Sequence, residues 1–163
     1  MKSNIGIYPG SFDPITDGHI DIINRATKIF NKVIIAVLKN PGKSFTFSVE
    51  ERVDMIKDTF KDYDNIEVES FDGLLIDYLK RKNGRAVIRG LRMISDFENE
   101  FQMALINRKM SSEFETVFLM TSEEYSFLSS SIVKEIYFLG GDISKFVPGI
   151  VLEKIKNKKA IKK

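Results

Sequence analysis

The chain has 163 residues, 43% hydrophobic and 29% charged, with a net charge of +2, one histidine and no cysteine. That length suits one domain, residues 1–163, with a substantial core, and the missing thiols exclude disulfides, thiolate catalysis and cysteine-ligated zinc; a lone imidazole excludes a histidine-rich metal site. The charge is uneven: residues 153–163 hold six lysines and one glutamate, which leaves the other 152 at −3, so the basic excess belongs to a solvated tail (about 156–163) and not to a nucleic-acid-binding face.

Met1-Lys2-Ser3-Asn4 has no signal-peptide pattern and no long apolar segment comes after it, so a cytoplasmic protein without membrane attachment is expected. Ile5 to Tyr8 reads as a strand that stops at Pro9-Gly10. A helix pattern starts near Asp17-Gly18, with apolar residues at Ile20, Ile23, Ala26, Ile29 and Phe30. A strand-to-helix turn between them aims backbone N–H groups at one point, which suits an anion. Gly10 and Gly18 stand where a tight turn or a close-lying phosphate would ask for glycine. Val33 to Leu38 is a continuous apolar run, the mark of a strand buried on both faces. Ser48-Val-Glu-Glu51 is a capping box opening a helix to about Phe60.

Ile66 to Phe71 alternates as a strand, Leu74 to Lys82 reads as a helix, and Ala86 to Ile88 is a short strand running into Arg89-Gly-Leu-Arg92. Ser95 to Glu98 reads as a second capping box, its helix running to about Met110. Thr116 to Met120 is the fifth strand. Ser129 to Ser131 offer N-caps for a helix ending at Gly140-Gly141, and Pro148 opens the last one. Five strands separated by helices predict an α/β fold with a five-stranded, doubly wound parallel sheet. Ligands of such sheets lie outside the carboxyl ends of the strands, so His19, Lys43, Arg89, Arg92 and Ser129 to Ser131 are expected to converge.

Nearly all of these donate hydrogen bonds or positive charge, which describes a site for more than one phosphate. Gly-x-x-x-x-Gly-Lys-Ser/Thr and Gly-x-Gly-x-x-Gly runs are both missing, as is the Gly-x-Ser-x-Gly elbow of a serine hydrolase. Taken alone, His19 reads as a structural hydrogen-bonder and Lys43 as a surface lysine; the glycine-proline turn ahead of Thr16-Asp-Gly-His19 turns the first reading toward catalysis, and the Pro and Gly beside Lys43 leave the second open between surface and site. Two arginines flanking Gly90-Leu91 directly after a strand favour a phosphate clamp. The three serines can cap a helix and still present free N–H groups to an anion.

Gly10-Ser-Phe-Asp-Pro followed by Thr16-Asp-Gly-His19 resembles the (T/H)xGH motif of the nucleotidyltransferase superfamily, and Ser126-Phe-Leu-Ser-Ser-Ser131 its ISSS/T signature, with Leu128 in the isoleucine place. From about Ile5 to Pro148 the chain is similar to the bacterial phosphopantetheine adenylyltransferase family, through Tyr8-Pro-Gly-Ser-Phe-Asp-Pro-Ile-Thr, Ile88-Arg-Gly-Leu-Arg92, Asp96-Phe-Glu with Glu100, and Val117-Phe-Leu-Met. The resemblance implies a Rossmann-like nucleotidyltransferase fold and transfer of AMP from ATP to 4′-phosphopantetheine with Mg²⁺, giving dephospho-coenzyme A and pyrophosphate. The alternative is a related cytidylyl- or adenylyltransferase with another phosphate acceptor. It also implies a homohexamer built as a dimer of trimers, and coenzyme A as a feedback ligand.

By the same resemblance His19, Lys43 and Arg92 would be catalytic, His19 stabilising the pentacovalent α-phosphate. Ser11, Phe12, His19, Gly90, Leu91, Arg92, Glu100, Tyr125, Ser126, Phe127, Leu128, Ser129, Ser130 and Ser131 would hold ATP. Ser11, Lys43, Leu75 and Arg89 would hold phosphopantetheine, with no protein metal site and the Mg²⁺ carried mainly by substrate phosphates. Ser11 stands where the family often has threonine, and Tyr125 where it often has tryptophan.

Overall fold

A computed structural model describes residues 4–161 apart from Pro41 and Met93, without the side chains of residues 94–96 and 159–161. Its strands are β1 (Ile5–Gly10), β2 (Lys32–Leu38), β3 (Ile66–Phe71), β4 (Ala86–Leu91) and β5 (Glu115–Met120). The helices are α1 (Asp17–Ala26), α2 (Val49–Thr59), α3 (Leu75–Lys82), α4 (Ile94–Met110), α5 (Ser130–Phe138) and α6 (Gly149–Ile161), with a short 3₁₀ turn at Glu123–Tyr125. All neighbouring strands pair in parallel, in the order β3-β2-β1-β4-β5. Strand order therefore reverses between β1 and β4, and a crevice opens beyond their carboxyl ends.

Alternation along the strands feeds two cores. Val33, Ile35 and Val37 of β2 join Ile22, Ile23, Met55, Ile56, Val133, Val151 and Ile155 from α1, α2, α5 and α6. Ile34 and Ala36 point to the opposite face, with Ile76, Tyr78 and Leu79 of α3. On β5, Val117 and Leu119 pack toward the first core, whereas Phe118 meets Phe97 of α4, ring centroids 6.0 Å apart. The predicted doubly wound sheet is what forms. Among the described residues no helix is long and apolar enough to cross a membrane.

Two predicted boundaries shift. β4 runs on through Arg89 and Gly90 to Leu91, because pairing with β5 continues from Ala86–Glu115 to Leu91–Met120. α4 begins at Ile94, ahead of the expected Ser95 cap, whose side chain lies outside the described residues. Within the chain itself a Cβ at Gly18 would meet Tyr125 at an ordinary 3.6 Å, whereas one at Gly10 would stand 2.9 Å from the Phe12 ring, so neighbouring protein atoms ask for glycine at Gly10. Phe12 itself takes a left-handed φ of 48°, unusual for a residue with a side chain.

Candidate active site

At the reversal point lies a cavity of about 290 Å³. The β1–α1 loop lines it with Ser11, Phe12 and Thr16, α1 with His19, and the segment after β2 with Lys43. β4 supplies Arg89 and Gly90, the residues beyond it Arg92 and Glu100, and the start of α5 supplies Leu128 to Ser131. Four loops distant in sequence meet there, as expected.

His19 is the third residue of α1 and takes the place that a capping box gives to Glu or Gln. Its Nδ1 accepts the Thr16 backbone N–H at 3.1 Å, and the Thr16 hydroxyl lies 2.9 Å from the same nitrogen. With Nδ1 accepting, the ring proton belongs on Nε2, at the other side of the imidazole. Burial, reinforced by the Arg92 charge, holds the His19 pKa down to about 4. At neutral pH this is an uncharged N–H donor of fixed orientation. Phe12 sets the ring plane by an edge contact at 5.1 Å.

α5 points its N-terminus at the cavity. The Ser129 hydroxyl caps it by accepting Ile132 N–H at 3.1 Å, and the Ser130 hydroxyl donates to the Pro14 carbonyl at 2.7 Å. The N–H groups of the first helical turn have no intrahelical acceptor, so they suit anionic oxygens at the positive end of the helix dipole. Arg92 Nη1 donates to the Leu128 carbonyl at 3.0 Å, which brings its guanidinium to the same end of α5.

The second arginine is paired with a carboxylate. Both Nε and Nη2 of Arg89 donate to the Glu100 carboxylate, and Nη1 donates to the Pro9 carbonyl at 3.2 Å. This ion pair borders both the first cavity and a second, largely apolar one of about 330 Å³. Leu38, Phe71, Leu75, Val87 and Met103 line the second cavity, and it shares Pro9, Gly10 and Ser11 with the first. Leu75 thus lies apart from the polar groups, beside an apolar slot.

The remaining expected residues sit near the site without lining it. Leu91 is buried at the end of β4, its carbonyl accepting Thr121 N–H at 3.0 Å. Tyr125 packs against Gly18, Ser126 Oγ donates to the Glu123 carbonyl, and Phe127 is exposed beside Phe146. Sequence reasoning missed Asp13, which is 4% exposed. Its carboxylate accepts Thr46 and Phe47 N–H groups and the Lys134 ammonium at 2.7 Å, binding the β1–α1 loop to the segment before α2 and to α5. It also missed Asp21, which accepts the Ser122 N–H and hydroxyl and fixes the end of β5 to α1. Asp21 also pairs locally with Arg25, four residues on, at 3.2 Å, but the contacts that give the two carboxylates their place at the site join them to residues 33 to 121 positions away. Thr16 was legible: a threonine three residues before His19 is half of a capping box.

The profile described as cytidylyltransferase-like matches residues 7–136. The chain is 56% identical to phosphopantetheine adenylyltransferase of Caldanaerobacter subterraneus subsp. tengcongensis, over 94% of this chain and 96% of that one. It is 56% identical to the enzyme of that name from Alkaliphilus metalliredigens, over 94% and 98%. With that from Clostridium tetani the identity is 52%, over 95% and 97%. Among solved structures, nicotinic acid mononucleotide adenylyltransferase of Plasmodium falciparum, complexed with NaAD, shares the fold with a TM-score of 0.70. The match covers 95% of each chain at 17% identity.

Proposed function

The chain belongs to the cytidylyltransferase-like family and, within it, to the phosphopantetheine adenylyltransferases, and on that premise we propose that it transfers the adenylyl group of ATP to 4′-phosphopantetheine. The products are dephospho-coenzyme A and pyrophosphate. The observation that carries this reading is the pairing of a donor-rich polar cavity with an apolar slot, joined at Ser11 and at the Arg89–Glu100 pair. The first suits a triphosphate, the second a pantetheine arm, and the shared edge is where the acceptor phosphate would meet the α-phosphate.

The nucleophile is a phosphate monoester oxygen, already anionic near neutral pH, so no strong base is required. Its oxygen attacks the α-phosphorus of ATP, a new P–O bond forms, and the bond to the α–β bridging oxygen breaks as pyrophosphate leaves. The cost lies in bringing two anions together and holding the charge that gathers on the α-phosphate oxygens. His19 Nε2–H donates to one of those oxygens. Being neutral, it needs no proton transfer to act. Arg92 and the N–H groups at Ser129 to Ser131 take the triphosphate, with Ser11, Phe12, Gly90, Leu91, Glu100 and the segment Tyr125 to Leu128 completing the nucleotide site. Lys43 and Ser11 take the acceptor phosphate, and Leu75 and Arg89 border its arm.

ATP enters as its Mg²⁺ complex. Glu100 is the one carboxylate lining the nucleotide cavity among the described residues, and it is bound to Arg89. No group of three His, Cys, Asp or Glu among the described residues could hold a metal. This donor set fits an ion held by the triphosphate and water, which is the usual manner for Mg²⁺. A single catalytic domain over residues 1–163, a cytoplasmic location, feedback by coenzyme A at the acceptor slot and a homohexamer complete the reading. The exposed apolar face of α4 supports the last of these.

A pyrophosphate-release assay with ATP or CTP, against 4′-phosphopantetheine, glycerol 3-phosphate and nicotinic acid mononucleotide, tests the assignment. Release with ATP and 4′-phosphopantetheine alone is expected; faster release with another pair overturns it.

A further inference from the structure

Arg52 of α2 is 1% exposed, yet no carboxylate among the described residues lies within ion-pair distance of it. Burial disfavours its charge, the nearby Asp13 and Glu50 carboxylates offset part of that cost without touching it, and the rest depends on its donors being used. Here Nη1 donates to the Ser11 carbonyl at 2.6 Å and more weakly to that of Leu38 at 3.4 Å, while Nε donates to Ser48 O at 3.3 Å. The guanidinium also lies over the Phe45 ring, 4.1 Å from its centroid. Lys43 Nζ is 5.8 Å from the centroid of that same ring. One side chain therefore ties together the β1–α1 loop, the end of β2 and the segment that carries Lys43.

We propose that Arg52 is a positioning residue for the acceptor phosphate, holding Ser11 through its carbonyl and Lys43 through the shared Phe45 ring, the two groups assigned to that phosphate. The proposal rests on the adenylyltransferase reading for its kinetic test and is independent of it for the second. In Arg52→Met the KM for 4′-phosphopantetheine should rise by at least about tenfold, while the KM for ATP, held also by Arg92 and the start of α5, stays within about threefold. Arg52→Lys keeps the charge but loses the fork and the stack; it should show the same split to a lesser degree, and it keeps the test open if Arg52→Met does not fold. A lower kcat with both KM values unchanged would reduce Arg52 to a structural residue and overturn the proposal, as would wild-type acceptor KM in either folded variant. If the wild-type enzyme makes no dephospho-coenzyme A, the activity reading fails, and the proposal is then judged by inorganic phosphate alone. Phosphate should move the Ser11 amide ¹H–¹⁵N signal in the wild type and not in the Arg52 variants; equal movement in both contradicts the proposal.

Discussion

An imidazole with a pKa of about 4 carries no charge at neutral pH, and this decides what His19 contributes. A cation there would face Arg92; a neutral N–H adds a directed donor without that repulsion. The same shift has a consequence for stability. Unfolded histidine titrates near 6.5, so between about 4 and 6.5 the unfolded chain binds a proton that the folded chain refuses. This component of stability is therefore complete above pH 6.5 and is lost as pH falls toward 4. His19→Gln can keep the Thr16 cap, because Gln is a normal capping-box partner, and it removes the titration. Between pH 7 and pH 4.5 the wild type should lose more stability in urea unfolding than His19→Gln, by up to about 3 kcal/mol. Parallel losses in the two proteins would show that the ring is not held neutral by the fold.

At the scale of elements, the site depends on how α5 is seated. Ser130 binds the Pro14 carbonyl and Lys134 binds Asp13, so two successive turns of α5 hold the loop whose other end carries Ser11. Lys134→Met should cost about 1.5–3 kcal/mol, the usual worth of a hydrogen bond to a charged group, read as a lower urea midpoint. No change would mean that the two Thr46 and Phe47 N–H bonds suffice for Asp13. How much of this was legible in the sequence depends on the range of the forces involved. Helix starts at Asp17 and Ser48, strands over the apolar runs, and the meeting of His19, Lys43, Arg92 and the serine triplet all rest on local pattern plus the rule for parallel sheets. The extension of β4 was hidden because Arg89 and Gly90 look like loop residues until β5 is there to pair with them. The pairing of Arg89 with Glu100, the seat of Asp13 and the burial of Arg52 were hidden for the same reason: each is decided by a partner that only the tertiary fold brings near.

For the whole molecule, the sheet leaves one helix incompletely covered. Phe97, Phe101, Leu105, Ile106 and Met110 of α4 are exposed, and Phe101 and Leu105 edge a groove with Phe114 and Phe118. Large apolar side chains left in water on more than one side of a helix suit a further copy of the chain. Light scattering should report an assembly, and Leu105→Glu should lower its mass; a monomeric wild type would remove the hexamer from the account. In the proposed reaction the neutral imidazole acts on the transferring phosphate and not on the standing affinity for nucleotide. The most direct measurement of this is the turnover of His19→Ala with ATP and 4′-phosphopantetheine beside its calorimetric affinity for ATP. Loss of one such donor should lower turnover by at least about 10²-fold and leave ATP affinity within about tenfold, whereas turnover within a few-fold of wild type would contradict the role given to His19.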